Sequence, residues 1–335
     1  ELYDFIVVGG GPAGAVVTRR FLDEGAAVLL LEAGNYTQFV TVESEQAMDS
    51  FVVGSTLSEF DIPLLWSSIA QASTVHWGKF NALNIFPFKG LGGGSMHSAM
   101  LHIRAVKADI TRWGLSGWDW DRMTTAYETL ERFETTTSRA DTSDTENTTQ
   151  RSLIGSLPVQ ASNCIDVLSR NFIASAMKLG ENNIGGFNSD TPRKGVGCYE
   201  TSTENGIRVS APNYLLRPYL EAGTKATRLT LRTRATVRKI ILTKEVGITT
   251  TLPLHSKSQK IKQPTIPSYR AIVLSAGAIL TPKLLLSSGI GPVDELQALG
   301  IETKVNGPRV GKGLKDHLAV GVVFQAAQAI TDGMC

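Results

Sequence analysis

A turn of closely spaced glycines, placed between an apolar run and an amphipathic segment, most restricts how this chain folds. Residues 4–21 read DFIVVGGGPAGAVVTRRF. The run before the glycines predicts a buried parallel strand over residues 3–8, and the segment after them predicts a helix over residues 13–24. Residues 27–31 are again apolar and predict a second buried strand. A strand, a helix and a strand within about thirty residues indicate an α/β fold with a parallel sheet.

The glycines have the spacing GxGxxG, which suits the binding of a pyrophosphate. Gly9 permits the tight turn, Gly11 lets a phosphate approach the backbone, and Gly14 lets the helix pack on the strand. The helix N-terminus adds N–H groups and a partial positive charge. Glu32, at the end of the second strand, is placed to accept hydrogen bonds from ribose hydroxyls. These residues predict an adenine dinucleotide and leave NAD and FAD as alternatives.

Composition and charge exclude several classes of protein. Of the 335 residues, 42% are hydrophobic and 19% are charged, as in globular rather than disordered chains. The 33 basic residues nearly balance the 31 acidic ones, so bulk charge does not favour nucleic acid as a partner. We find no apolar run of about 18 residues and expect no membrane span. The three scattered cysteines and the spacing of the five histidines predict neither a disulfide framework nor a metal site.

The cellular compartment is left open by the sequence. The chain begins at Glu1 without a segment typical of a signal peptide, which is consistent with a mature or trimmed form. Sequons at Asn35 and Asn147 would carry glycans in a secreted protein. Such triplets often arise by chance, and that is the interpretation we favour.

A second glycine cluster and several later motifs identify a family. Residues 89–100 read KGLGGGSMHSAM, and residues 277–291 read GAILTPKLLLSSGIG. In their order along the chain, these motifs and the N-terminal turn resemble the glucose–methanol–choline (GMC) family of FAD-dependent oxidoreductases. Further blocks similar to the family are residues 29–34, 109–118, 206–215 and 310–317. An NAD-dependent dehydrogenase is disfavoured, because the later motifs have no place in it.

The resemblance implies a Rossmann-like FAD-binding domain of the GMC type with an incomplete α+β substrate domain. We assign residues 1–134 and 205–317 to the first and second parts of the FAD-binding domain. The loop-rich residues 135–204 would border the substrate domain, and residues 318–335 would begin its truncated remainder.

The resemblance also implies which residues bind FAD. The glycine turn would hold the pyrophosphate, Glu32 the adenosine ribose, and the backbone of Val237 the adenine, while residues 92–100 would run beside the isoalloxazine ring. The implied cofactor-binding residues are Gly9, Gly11, Pro12, Ala13, Gly14, Glu32, Ala33, Lys89, Gly92, Gly93, Ser95, His97, Ser98, Met100, Val237, Ala276 and Gly277. Gly94, Ser98 and Gly313 depart from the family pattern, and each loses a polar group that family members usually carry near the cofactor.

His97 has two interpretations. It aligns with the histidine that is covalently attached to the C8 methyl group of the flavin in some family members, and a neutral imidazole nitrogen is a competent nucleophile for such a bond. Alternatively, His97 packs or donates a hydrogen bond beside the dimethylbenzene edge of a flavin held without a covalent link. The sequence leaves both open.

The resemblance implies oxidation of a small-molecule alcohol by hydride transfer to flavin N5, with oxygen or a quinone as electron acceptor. It places the catalytic histidine base and its partner beyond Cys335, so we assign no catalytic residue and expect this chain alone to lack that pair. Two other functions remain open: a non-catalytic flavin-binding remnant and a GMC-type lyase. The specific alcohol and the oligomeric state cannot be read from these residues.

Overall fold

A computed structural model describes most of the chain. The described residues are 3–35, 58–71, 76–77, 87–134, 155–161, 167–188, 194–223, 227–242, 246–251, 265–316, 320 and 322. They form two compact units, one made of residues 1–99 and 210–316, the other of residues 100–209 and 317–335.

The regular elements are numbered in chain order. The strands are β1 (Tyr3–Val8), β2 (Val28–Leu31), β3 (Leu101–His102), β4 (Glu131–Glu134), β5 (Leu157–Gln160), β6 (Asn183–Gly186), β7 (Val196–Cys198), β8 (Glu200–Thr201), β9 (Thr203–Glu204), β10 (Ile207–Arg208), β11 (Leu229–Arg232), β12 (Thr236–Leu242), β13 (Val246–Thr251), β14 (Thr265–Leu274), β15 (Ile290–Gly291) and β16 (Val305–Asn306). The helices are α1 (Pro12–Asp23), α2 (Trp66–Gln71), α3 (Lys107–Trp113), α4 (Trp120–Leu130), α5 (Val167–Lys178), α6 (Arg217–Ala222), α7 (Gly277–Ser287) and α8 (Val293–Ala298). Short 3-10 turns span Glu59–Asp61, Pro63–Leu65 and Gly93–Met96, and a π turn spans Pro212–Leu216.

The first unit is built on a six-stranded sheet in the order β11-β2-β1-β14-β13-β12. Strands β11, β2, β1 and β14 are parallel, whereas β12, β13 and β14 pair antiparallel. Ile6 and Val7 of β1 are fully buried, as expected for a central parallel strand. The α/β class and the predicted strand–helix–strand unit are confirmed, with α1 beginning at Pro12 and β2 at Val28.

Helix α1 packs on this sheet because its buried residues recur at helical spacing. They are Gly14, Ala15, Thr18 and Leu22. The ring of Phe21 also stacks on Phe5 of β1, with centroids 3.8 Å apart. Pro12 stands in the first turn, where a missing backbone N–H costs nothing. This packing fixes where the N-terminus of α1 lies relative to the end of β1.

Apolar side chains alternate with polar and basic ones over residues 228–241, and this pattern predicts one strand. The structure has two strands there. The chain leaves β11 after Arg232, passes through Arg234 in the left-handed region with φ +54, and begins β12 at Thr236. Strand β11 pairs parallel with β2, whereas β12 pairs antiparallel with β13. A turn is therefore needed between the two strands, and the alternation of side chains does not reveal it.

The second unit contains a four-stranded sheet in the order β3-β8-β5-β4. Residues 107–134, which we predicted to belong with the FAD-binding part, lie here as α3, α4 and β4. Strand β4 pairs parallel with β5, and β3 pairs with β8, so residues from either side of position 134 share one sheet. In the structure, the first stretch of the first unit ends at residue 99, and residues 100–134 belong to the second unit.

Two further features bear on the composition argument. Within the described residues, no helix is long and apolar enough to cross a membrane. Cys198 is disulfide-bonded, which the spacing of the cysteines did not indicate. The other two cysteines, at positions 164 and 335, lie outside the described residues, as do residues 135–154 at the start of the segment predicted to be loop-rich.

A buried ion-pair network anchors the sheet of the second unit. The Glu131 side chain is 3% exposed and accepts hydrogen bonds from His102 Nε2 at 2.9 Å and from Arg104 Nε at 3.0 and 3.1 Å. Asn188 donates to the His102 carbonyl at 2.8 Å and accepts from the Arg104 N–H at 2.7 Å. Burial alone would raise the pKa of Glu131, but these hydrogen bonds and charges lower it to about 2.

The depressed pKa makes the stability of this unit depend on pH. We expect Glu131→Gln to destabilise the protein by about 3 kcal/mol at pH 7, because it removes the buried counter-charge of the Arg104 guanidinium, which is 12% exposed. The stabilisation is present above the ordinary carboxyl pKa of 4.5 and is lost as the pH falls toward about 2. Urea denaturation at pH 7 and pH 3 measures both effects, and the gap between wild type and variant should narrow at the lower pH.

The half-exposed Arg217–Glu221 pair provides the control. Glu221→Gln should change the free energy of unfolding by less than about 0.5 kcal/mol at either pH. Equal losses in the free energy of unfolding for Glu131→Gln and Glu221→Gln would contradict a stabilising effect of the Glu131 network.

Candidate functional site

The glycine turn after β1 is closed by backbone contacts. Gly9 has φ +102, a conformation that side chains disfavour, and its N–H donates to the Leu31 carbonyl at 2.8 Å. A Cβ on Gly9 would lie 2.4 Å from the Ser275 carbonyl oxygen. Gly14 is equally constrained, since its Cβ would lie 1.9 Å from the Gly9 oxygen. Both residues must be glycine for β1, α1 and the end of β14 to meet.

Gly11 differs from its two partners. It adopts extended backbone with φ −73, and a Cβ there would contact only the Gly93 Cα, at 3.8 Å. Pro12 and Ala13, which follow it, are exposed. The first helical hydrogen bond runs from the Ala15 N–H to the Gly11 carbonyl at 2.9 Å. The N–H groups of Ala13 and Gly14 precede that bond, and such groups are the ones that a helix offers to an anion.

Glu32 at the end of β2 joins two backbone turns. One carboxylate oxygen accepts from the Gly10 N–H at 2.9 Å, and the other accepts from the Gly34 N–H at 2.7 Å. The residue is 6% exposed, and burial raises the pKa of Glu32 although the backbone donors and the charge of Lys89 lower it. Each carboxylate oxygen retains a lone pair beyond these bonds, so the group can also accept a hydroxyl from a ligand.

The second glycine segment is hydrogen-bonded directly to the first turn. Its Gly92 N–H donates to the Gly10 carbonyl at 2.8 Å, and the Leu91 N–H donates to the Asn35 carbonyl at 3.0 Å. Gly92 and Gly93 have φ +101 and +51. A Cβ on Gly93 would lie 2.9 Å from the Gly11 Cα. The two glycine clusters, which are distant in sequence, therefore form one surface.

Ser95 and Lys89 support this segment on either side. The Ser95 hydroxyl donates to the Gly92 carbonyl at 2.7 Å and accepts from the Ala211 N–H at 3.2 Å. The Lys89 ammonium lies 5.0 Å from the centroid of the Trp77 ring. These contacts fix the turn that carries His97 and the exposed Ser98.

Two further backbone segments lie beside the first glycine turn and the end of β2: the end of β14 and the start of β12. The Ser275 N–H donates to the Val8 carbonyl at 2.7 Å, which places Ala276 and the exposed Gly277 at the start of α7 beside the first turn. The Ala235 N–H donates to the Glu32 carbonyl at 2.8 Å. This bond brings the start of β12, which includes Val237, close to the end of β2.

His97 lies at the edge of a small aromatic cluster. Its N–H donates to the Gly94 carbonyl as the 3-10 turn Gly93–Met96 ends. Its ring centroid is 5.3 Å from that of Phe88 and 5.9 Å from that of His76. His97 is half-buried, whereas His76 and Phe88 are 8% and 9% exposed.

The structure places nearly all of the predicted cofactor-binding residues in the first unit. The exception is Met100, which begins the second unit, has φ 60, and accepts from the Ser202 N–H at 2.8 Å. Sequence reasoning assigned no role to His76, Ser275 or Ala235. No local spacing marks His76 or Ala235, but Ser275 directly follows the apolar residues 271–274, and that position could have identified it. In the described part of the chain, no cluster of three or more His, Cys, Asp and Glu residues is placed to hold a metal ion.

Proteins of known function are similar in sequence to nearly the whole of this chain. An alcohol dehydrogenase (acceptor) of Pseudomonas putida is 29% identical over 331 residues, which are 97% of this chain and 55% of that protein. An oxygen-dependent choline dehydrogenase of Photobacterium profundum is 28% identical over 98% of this chain and 54% of its own length. The chain therefore spans about half the length of the curated relatives that it matches.

Solved structures show the same fold. A pyridoxine 4-oxidase from Mesorbium loti superposes with a TM-score of 0.70 at 24% identity, over 91% of this chain and 55% of that one. A formate oxidase superposes with a TM-score of 0.70 at 21% identity, over 93% of this chain and 52% of that one. The family model described as GMC oxidoreductase matches residues 3–319. Since that match covers nearly the whole chain, the protein belongs to the GMC oxidoreductase family.

Proposed function

We propose that this chain is the FAD-binding part of an oxidoreductase that oxidises a small-molecule alcohol. The observation that carries the proposal is the bond from the Gly92 N–H to the Gly10 carbonyl, which joins both glycine clusters at the N-terminus of α1. A helix N-terminus with close backbone on two sides suits a pyrophosphate, and a buried carboxylate at the next strand suits a ribose. An NAD-binding turn does not require the second cluster.

The residues present fit FAD. Gly11 leaves open backbone where a Cβ would stand, and Ala13 and Gly14 supply N–H groups for phosphate. Glu32 would hold the ribose hydroxyls, and Val237 would contact the adenine through its backbone. The second glycine segment would lie beside the flavin ring, where Gly92, Gly93, Ser95 and Ser98 allow close approach of the backbone.

When bound, FAD supplies the acceptor for the hydride that leaves the alcohol carbon. The chain's own residues would orient the cofactor, and backbone N–H groups of the second glycine segment would stabilise negative charge that develops on it. Two relatives are named as an alcohol dehydrogenase and an oxygen-dependent choline dehydrogenase, which supports an alcohol as donor and oxygen or a quinone as electron acceptor.

Gly11→Ala tests the cofactor site. The backbone of Gly11 accepts a side chain and a Cβ meets no close neighbour, so the fold should lose less than about 1 kcal/mol. The methyl group would stand where the phosphate approaches, and we expect FAD affinity to fall at least about tenfold, which corresponds to about 1.4 kcal/mol. Anaerobic titration of apoprotein produced without flavin measures the affinity for FAD, and thermal unfolding without FAD measures the fold.

Gly186→Ala is the matched control. A Cβ on Gly186 would lie 3.9 Å from Glu200 Oε1. Gly186 belongs to neither glycine cluster. Its affinity for FAD should equal that of the wild type. Unchanged affinity in Gly11→Ala would argue against a pyrophosphate at this turn.

Anaerobic reduction tests the reaction. In a protein that joins this chain to the C-terminal part with the proposed catalytic base, a panel of primary alcohols, including choline, should bleach the visible flavin absorbance, because the hydride remains on the flavin when no acceptor is present. The same compounds without the hydroxyl group should leave the absorbance unchanged. A flavoprotein that no alcohol reduces would be a non-catalytic binder, and cleavage of a cyanohydrin without reduction would indicate a lyase; either result contradicts the proposal.

We further propose that His97 carries a covalent bond to the C8 methyl group of FAD. Its imidazole is half-buried and stands at the end of the second glycine segment, on a turn fixed by the Gly94 carbonyl. A neutral imidazole in such a position is a competent nucleophile.

Acid precipitation tests this bond. The wild-type precipitate should retain the yellow colour, and His97→Ala should release it into the supernatant while still binding FAD. Gly186→Ala, which lies in neither glycine cluster, should retain the colour like the wild type. Release of the flavin from the wild type would remove the covalent bond from the proposal and leave FAD binding intact.

A further inference from the structure

His76, His97 and Phe88 form a cluster of three rings. The centroids are 5.9 Å apart for the two histidines, 5.3 Å for Phe88 and His97, and 6.3 Å for Phe88 and His76. Phe88 meets both histidines edge to face, with interplanar angles of 65° and 87°, and the histidine rings are tilted by 52°. Edge-to-face pairs at such separations are attractive. The His97 ring therefore has a neighbour in each of two directions, which restrict its rotation.

His76 is itself held in place. Its Nε2 lies 3.3 Å from the Ile69 carbonyl oxygen. A carbonyl only accepts, so this contact assigns the proton of a neutral ring to Nε2 and the lone pair to Nδ1. The backbone at His76 bridges to Phe88, and the neighbouring Trp77 N–H donates to the Pro87 carbonyl at 3.1 Å. The backbone pairing of His76 with Phe88 thus places their two rings side by side, and both rings contact His97.

The surroundings of His76 distinguish it from an ordinary packed residue. Phe60, Ile69, Phe88 and Met96 form an apolar core cluster in this part of the first unit. His76 stands next to that cluster, 8% exposed, and presents a polar ring toward the second histidine. A rigid, anchored ring in this position limits the orientations of His97 more than a flexible aliphatic side chain would.

We propose that His76 is a positioning residue for the covalent attachment of FAD to His97. The inference rests on the proposed FAD site and on the proposed bond at His97. His76 and Phe88 would hold the His97 imidazole so that one nitrogen faces the C8 methyl group of the flavin. Positioning of a nucleophile affects the rate of bond formation strongly, because small displacements of the reacting atoms are costly.

Covalent attachment of FAD to His97 is a two-electron oxidation, and dioxygen is the oxidant that balances it. A carbon–nitrogen bond forms between the methyl carbon of the flavin and the His97 imidazole. One methyl C–H bond and the imidazole N–H bond break. The two hydrogens and two electrons so released reduce one dioxygen to hydrogen peroxide, and the flavin returns to its oxidised state. His76 is neither consumed nor oxidised, since it acts only through the orientation of His97.

The rate of attachment separates positioning from a structural role. FAD would be added in air to apoprotein produced without flavin, and acid-precipitable flavin would be followed over time beside total bound FAD and the thermal unfolding midpoint. For His76→Ala we expect total FAD within about twofold of the wild type and covalent incorporation slowed at least about tenfold. His76→Phe restores a ring and should return the rate to within about threefold of the wild type.

Two further variants complete the test. Ile69→Val trims the adjacent core but keeps the carbonyl that holds His76, and it should incorporate FAD at the wild-type rate. His76→Gln retains a hydrogen-bond donor without a ring and should be as slow as His76→Ala. If His76→Ala does not fold, the comparison of His76→Phe with His76→Gln decides, and a faster rate in the glutamine variant overturns the inference.

The remaining outcomes are distinct from one another. A wild-type rate in His76→Ala, or a rate that falls only in proportion to bound FAD and unfolding midpoint, overturns positioning by His76. A wild type that binds FAD without ever forming the bond overturns this inference and leaves the FAD site standing. A wild type that binds no FAD overturns the proposed function itself.

Discussion

The hydrogen bond from the Gly92 N–H to the Gly10 carbonyl is the contact on which the candidate site depends. It connects two turns that are far apart in sequence, and it is short because neither turn has a side chain in the way. A Cβ on Gly10 would meet the Leu91 side chain at 2.7 Å, and one on Gly93 would meet the Gly11 Cα at 2.9 Å. Each glycine cluster therefore needs the other to be glycine-rich, so close approach of backbone is a property of the pair.

Glu32 extends this junction to the sheet. A buried carboxylate is costly unless it is hydrogen-bonded, and here backbone N–H groups of Gly10 and Gly34 satisfy both oxygens. The same peptide units sit beside the second cluster, since a Cβ on Gly34 would meet the Lys89 backbone at 2.3 Å. The carboxylate thus holds the first turn and the end of β2 together, in addition to any bond that it makes to a ribose. The two backbone hydrogen bonds that allow Glu32 to be buried also fix the orientation of its carboxylate as a hydrogen-bond acceptor.

The parts of the site that sequence could predict are those with local patterns. Strand β1, helix α1 and strand β2 follow from periodicity and glycine spacing, because they are consecutive and each buries one face. The break between β11 and β12 could not be predicted, since it is imposed by pairing with β2 on one side and β13 on the other. The assignment of residues 107–134 to the second unit likewise depends on strand pairing between distant segments. The pairing of His76 with His97 depends on the bridge between His76 and Phe88, which no local spacing indicates.

Two of the departures from the family pattern, Gly94 and Ser98, fall where the structure imposes no steric need. A Cβ on Gly94 would meet nothing within 4 Å, in contrast to Gly92 and Gly93 on either side of the same turn. Ser98, the other departure in this segment, is exposed. Neither residue is required for the two glycine clusters to meet, so both are free to vary without loss of the fold. Their variation changes the polar groups offered along the second glycine segment, while Gly92, Gly93 and Ser95 keep its backbone in place. The chain can therefore vary the polar groups beside the proposed flavin site while the backbone of both glycine clusters stays in place.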